Sequence, residues 1–112
     1  MYAIKIMFMS GPDDGMESWL KSNQNKGRAI VEGWEFIAGR GEECDLKIPF
    51  DTQVSRRHAI LRLTNEILEI EDLRSRNGTF VKKRRINQPA VIQPGELFRM
   101  GHTWLRMQEI QR

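Results

Sequence analysis

Cysteine is almost missing from this chain. Cys44 stands alone among 112 residues, which excludes an internal disulfide and is compatible with a reducing compartment. Proline, at four residues, and glycine, at nine, are too sparse for a collagen-like or low-complexity polymer. No apolar run nears the roughly 20 residues of a membrane-spanning helix, and the first apolar stretch, Ala3 to Met9, is broken by Lys5. Without a basic leader ahead of a long apolar segment, it does not read as a cleaved signal either. A soluble, cytoplasmic protein with no membrane contact is the expectation. Excess charge is also absent: 18 Lys and Arg against 15 Asp and Glu leave +3, too little to demand a nucleic-acid partner. At 112 residues the chain has room for one core, and burying about two-thirds of the unfolded surface makes no metal or disulfide necessary.

What the sequence does have is alternation. Tyr2 to Met9 reads as a buried strand ended by the turn cluster Ser10-Gly11-Pro12-Asp13-Asp14-Gly15. Trp34 to Ala38, Ala59 to Leu63 and Ile67 to Asp72 place apolar and polar side chains on opposite faces, with Leu68, Ile70 and Asp72 on one side. Thr79 to Val81, Ala90 to Ile92, Glu96 to Met100 and Thr103 to Gln108 complete the set. Strands this short, separated by Gly, Pro, Asn and Asp, predict an all-β sandwich or barrel. Between Gly15 and Gly33 the pattern is ambiguous: Glu17 to Leu20 and Arg28 to Glu32 suit strands flanking the polar loop 21–27, and a short helix there is the alternative.

Charge is unevenly spread. Residues 1–55 carry six Lys and Arg against nine Asp and Glu, whereas residues 56–106 carry eleven against five. The second half should present an electropositive surface suited to an anionic partner.

Three segments stand in order within about forty residues: Gly39-Arg40, Ser55-Arg56-Arg57-His58 and Asp72-Leu73-Arg74-Ser75-Arg76-Asn77-Gly78-Thr79. Together, inside an all-β pattern, they resemble the forkhead-associated (FHA) domain, known by a Gly-Arg pair, a Ser-Arg-x-His segment and an Asn-Gly-Thr turn. The resemblance covers residues 1–112 as a single domain, weakly over 1–33 and strongly over 34–108. It implies a sandwich of two twisted antiparallel sheets, about eleven strands, with ligand loops at one end. The implied partner is a phosphothreonine-containing protein made by a Ser/Thr kinase, bound without catalysis, cofactor or metal.

A phosphothreonine carries about −1.5 to −2 charge and three acceptor oxygens, so its receptor needs fixed donors and a permanent cation. Arg40 suits this through its planar, always charged fork. The resemblance assigns phosphate contacts to Ser55 and Arg56, a contact with the phosphate or its neighbour to Arg76, and the grip on the peptide main chain to Asn77. Gly39, His58, Ser75 and Gly78 would support the site, His58 by bracing its loop. Arg57 is expected at the rim. Read alone, Asn77-Gly78 is equally a two-residue hairpin turn between the strands ending at Asp72 and beginning at Thr79.

Other readings compete. Ser55 with His58 could be a nucleophile and base, but no orienting carboxylate is evident and no Gly-x-Ser-x-Gly elbow exists. Cys44, His58 and His102 lack metal-ligand spacing, and Cys44 is expected to pack near the sandwich end. The run Lys82-Lys83-Arg84-Arg85 invites a nucleic-acid reading, although no aromatics interleave with it in sequence. It departs from the Asn-Gly common at that place in the family, so a longer or looser turn is expected, near the peptide groove and selecting acidic flanking residues. A phosphate-independent interaction scaffold on the same fold is the remaining alternative.

Overall fold

The computed structural model describes residues 2–22 and 26–111, and of the expected polar loop 21–27 residues 23–25 lie outside this description. Twelve strands run through the described residues: β1 (Ala3–Phe8), β2 (Glu17–Lys21), β3 (Arg28–Ile30), β4 (Gly33–Gly39), β5 (Leu46–Lys47), β6 (Ala59–Thr64), β7 (Ile67–Asp72), β8 (Thr79–Val81), β9 (Arg84–Arg85), β10 (Ala90–Ile92), β11 (Leu97–Met100) and β12 (Thr103–Gln111). One sheet has the order β2-β1-β12-β11-β8-β9, the other β10-β7-β6-β4-β3. The ambiguous region between Gly15 and Gly33 forms strands β2 and β3, not a helix, because each completes the ladder of a neighbour, β2 on β1 and β3 on β4. The antiparallel expectation has one exception. β5 pairs parallel with β4, since it arrives through a loop that doubles back alongside Gly39.

Period-two alternation fills the space between the sheets. Ile4, Ile6, Phe98, Met100, Leu105 and Met107 from the first sheet meet Phe36, Leu61, Leu63, Leu68 and Ile70 from the second, all fully buried. Each such side chain contributes about 1.5–3 kcal/mol relative to exposure. Both outer faces therefore bear the polar phase of the strands, but with different chemistry. On the second sheet, Arg62 bonds Glu71 at 2.6 Å and Glu35 at 3.3 Å, and Glu35 also pairs with Arg28. Burial alone would lower the pKa of Arg62, yet the two carboxylates raise it, so this network stays charged.

Two short turns correct the sequence reading. Lys82 and Lys83 do not form a longer or looser connection: Val81 pairs directly with Arg84, and both lysines take positive φ, 51° and 67°. That is the type I′ geometry for which Asn-Gly is favoured, here partly held by the Lys82 ammonium 2.6 Å from Glu96. Conversely, Asn77-Gly78 is not a hairpin turn. β7 and β8 lie in different sheets, so residues 73–78 cross between the sheets, with Arg74 (φ 55°) and Gly78 (φ 86°) supplying the left-handed bends.

Candidate functional site

Three crossing loops meet at one end of the sandwich. They follow β4, precede β6, and join β7 to β8. Arg40, Thr52, Gln53, Val54, Ser55, Arg56, Arg76 and Asn77 line one open depression of about 270 Å³. All five side chains predicted to contact a ligand are thus brought together, from segments far apart in sequence.

The loops are locked by backbone bonds. Arg40 N–H donates to Ser55 O and Gly41 N–H to Arg56 O, each at 3.0 Å, and Cys44 Sγ–H donates to Arg56 O at 3.0 Å. Gly39 is required by this close approach: a Cβ there would collide with the Arg56 carbonyl. Cys44 is buried as expected. Burial, with Glu43 and Asp45 nearby, pushes its thiol pKa up, so it stays protonated and donates.

His58 is fully buried and ties two loops. Its Nδ1 accepts the Ser55 N–H at 3.0 Å, while Nε2–H donates to the Gly78 carbonyl at 2.8 Å. Burial lowers its pKa against the opposing pull of Gly78, Asp72 and Asp51, so the ring is neutral. This geometry does not fit a Ser-His nucleophile: the histidine bonds the backbone amide of Ser55, not its hydroxyl.

Asp72 organises the third loop. Its carboxylate accepts Ser75 N–H at 3.0 Å, Ser75 Oγ–H at 2.5 Å and Thr79 Oγ1–H at 2.7 Å. Ser75 Oγ in turn accepts Gly78 N–H at 2.9 Å. Burial would raise the Asp72 pKa, but these donors together lower it. Ser75 thus links Asp72 to the Gly78 amide within the loop.

With the frame satisfied elsewhere, several donors are left facing the depression. Ser55 Oγ accepts Arg76 N–H at 3.1 Å, leaving its own hydroxyl hydrogen to donate. Arg40 donates from Nε to Val54 O at 3.0 Å, and among the described residues nothing engages its two terminal nitrogens. Among the described residues no carboxylate pairs with Arg40 or Arg76, while Arg56 has Glu43 at 3.6 Å and nothing accepts its N–H. Asn77 donates through Nδ2 to Gln53 O at 2.8 Å, and among the described residues nothing donates to its side-chain oxygen.

Two sequence expectations shift. Arg57 is exposed but lines a neighbouring depression with Glu35, Glu43 and Asp45. Of the basic run, only Arg85 is placed at the site's edge, since a Cβ on Gly78 would lie 2.6 Å from Arg85 Nε. Lys82 turns away to Glu96. Sequence reasoning also passed over residues 51–54. Asp51 accepts Gln53 N–H at 2.9 Å, His102 N–H at 2.8 Å and Thr103 Oγ1–H at 2.6 Å, and so fixes the Gln53 carbonyl that holds Asn77. The legible signal was an Asp bonding the amide two residues on, the Asx turn.

The FHA domain family model matches residues 36–101, which span all three segments. The chain is 37% identical over 91 residues to the FHA domain-containing protein FhaA of Mycobacterium tuberculosis, covering 80% of this chain and 17% of that protein. It is 38% identical over 83 residues to the glycogen accumulation regulator GarA of the same species, covering 73% and 50%. The chain thus spans half or less of the length of these relatives. Among solved structures, one described as an analysis of phosphothreonine-dependent FHA domain interactions superposes with a TM-score of 0.74 at 27% identity over 95% of both chains. The FhaA FHA domain, complexed with the intracellular domain of Rv3910, gives 0.71 at 27% identity over 96% of this chain and 99% of that one. The chain belongs to the FHA domain family.

Proposed function

We propose that this protein is a non-catalytic recognition module, acting as one unit over residues 1–112, that binds a phosphothreonine-containing segment of a protein modified by a Ser/Thr kinase. The observation that carries this reading is the convergence of Arg40, Ser55, Arg56, Arg76 and Asn77 on one depression, where the Arg40 terminal nitrogens, the Ser55 hydroxyl hydrogen and the Arg56 amide have no acceptor among the described residues. Arg40 offers two parallel charged hydrogen bonds to phosphate oxygens. The Ser55 hydroxyl and the Arg56 amide add neutral donors at fixed positions, and Arg76 adds a second guanidinium with no carboxylate partner among the described residues. Asn77 Oδ1 accepts a main-chain N–H beside the modified residue.

Support also comes from the relatives, one solved for phosphothreonine-dependent interactions and one with an intracellular domain bound. An intracellular partner and an unpaired thiol fit a cytoplasmic role, and among the described residues no helix is long and apolar enough to cross a membrane. A site that orders a flexible peptide around one charged cluster should bind it in the micromolar range. An array of threonine peptides, each phosphorylated and unmodified, tests the proposal. Retention of phosphorylated members alone is expected, and equal retention of both forms would favour the phosphate-independent scaffold instead.

A further inference from the structure

Strand register aligns four side chains into a row across the outer face of the first sheet. Arg85 pairs with Phe80, Phe80 with Arg99, and Arg99 with Trp104. Their strand neighbours Thr79, Val81, Phe98, Met100, Thr103 and Leu105 are buried, so the four point outward. The Arg99 guanidinium lies 4.0 Å from the Phe80 ring centroid and 5.5 Å from that of Trp104. Beside the row, Leu97 is 38% exposed and lines with Trp104 a groove of about 330 Å³ that also takes in Lys83 and the Lys82–Glu96 ion pair.

The two outer faces differ in charge balance. Arg28, Glu35, Arg62 and Glu71 neutralise one another on the second sheet. On the first, Lys5 pairs with Glu17 and Glu109 and Lys82 with Glu96, whereas among the described residues neither Arg85 nor Arg99 has a carboxylate partner, and Arg99 donates from Nη1 to the Gly101 carbonyl at 2.6 Å. The row is continuous with the candidate site, because Arg85 sits over Gly78, next to Asn77.

We infer that this strip is a second docking track, which takes an acidic segment carrying apolar side chains from the same partner that presents the phosphothreonine. The inference rests on the proposed function for its starting point. From Arg85 to Trp104 is three inter-strand spacings of about 4.8 Å, or about 14 Å, a distance about four extended residues cover. Carboxylates pair with Arg85 and Arg99, and apolar side chains lie on Leu97 and the Trp104 edge. Single-stranded nucleic acid fits less well, since base stacking needs open ring faces and Arg99 already covers that of Phe80.

The test uses a short phosphothreonine peptide and versions extended by eight alternating Glu-Leu, Lys-Leu or Ser-Leu residues at either end. Titrations follow Trp fluorescence at low salt. The Glu-Leu extension, at one end, should tighten binding by about fivefold or more, the scale of two or three exposed charge pairs, and salt should erase the gain. Arg85→Gln and Arg99→Gln should each remove the gain, with Arg99→Gln leaving the short peptide's affinity unchanged. Arg85 is exposed, so Arg85→Gln remains informative if Arg99→Gln fails to fold. Equal affinity of the three extensions, or a gain that survives both substitutions, overturns the inference. Tighter binding of an oligothymidylate than of the Glu-Leu peptide, dependent on Arg85 and Arg99, overturns it in favour of nucleic acid. Failure of the short phosphopeptide to bind at all counts against the proposed function, and the unphosphorylated Glu-Leu segment then tests the strip alone.

Discussion

The backbone N–H of Arg76 donates to the hydroxyl oxygen of Ser55 over 3.1 Å, so a residue entering the first sheet and a residue entering the second share one bond at the rim. Its consequence is directional. With its acceptor role taken by the protein, the Ser55 hydroxyl is oriented to donate outward. Ser55→Ala should remove one donor and loosen the Arg76 loop, weakening a phosphothreonine peptide by about tenfold, the scale of one hydrogen bond to a charged group. Ser55→Thr should retain most of the affinity. Isothermal titration of both variants checks this, and equal losses would argue that the hydroxyl does not contact the ligand.

Asp72 holds three donors with one carboxylate. Asp72→Ala leaves the Ser75 amide and two hydroxyls short of an acceptor, which should cost about 2–4 kcal/mol of stability and disorder the loop carrying Arg76 and Asn77. Urea unfolding measures the first effect, and peptide affinity at a temperature where the variant is folded measures the second.

Acid should weaken the fold in two separate windows. Burial holds the His58 pKa below its ordinary 6.5, so the unfolded chain takes up a proton near that pH while the folded one does not. Stability is full above it and falls as the pH drops toward the depressed folded value. A second loss comes below the ordinary carboxylate value of 3.8, because hydrogen bonds outweigh burial in lowering Asp51 and Asp72. Unfolding midpoints measured from pH 8 to 3 should show both declines. His58→Ala should abolish the first while lowering stability throughout, since it leaves the Ser55 amide and Gly78 carbonyl unpaired.

Lys82 and Lys83 occupy left-handed positions that disfavour side chains by about 1–2 kcal/mol each. Lys83→Gly, which spares the Lys82–Glu96 pair, should raise stability by about 1 kcal/mol. A thermal melt that moved down would show the lysine making a contact that outweighs its backbone strain.

The legible parts of the molecule were those fixed by local chemistry. Leu68 and Ile70 announced their inward face by alternation, and Gly39-Arg40, Ser55-Arg56 and Asn77-Gly78 announced a rim because each segment had to be read with the others. Asn77-Gly78 was ambiguous because Asn-Gly suits any left-handed turn, and only the partners of β7 and β8 separate a hairpin from a crossing between sheets. β5 and β9 are two residues each, too short to alternate, and β5 exists only by its parallel pairing with Gly39. The row from Arg85 to Trp104 had no trace in the sequence, where its aromatics lie outside the basic run. Register alone brings Phe80 and Trp104 to either side of Arg99.

The most direct measurement is the affinity of one array-selected phosphothreonine peptide for wild type and for Arg40→Ala, by calorimetry. Arg40 is exposed and spends one nitrogen on the fold, so the unfolding midpoint should barely move while binding weakens at least about tenfold, the value of one or two charged hydrogen bonds. Equal affinity in a folded Arg40→Ala protein would contradict a phosphate site at this rim.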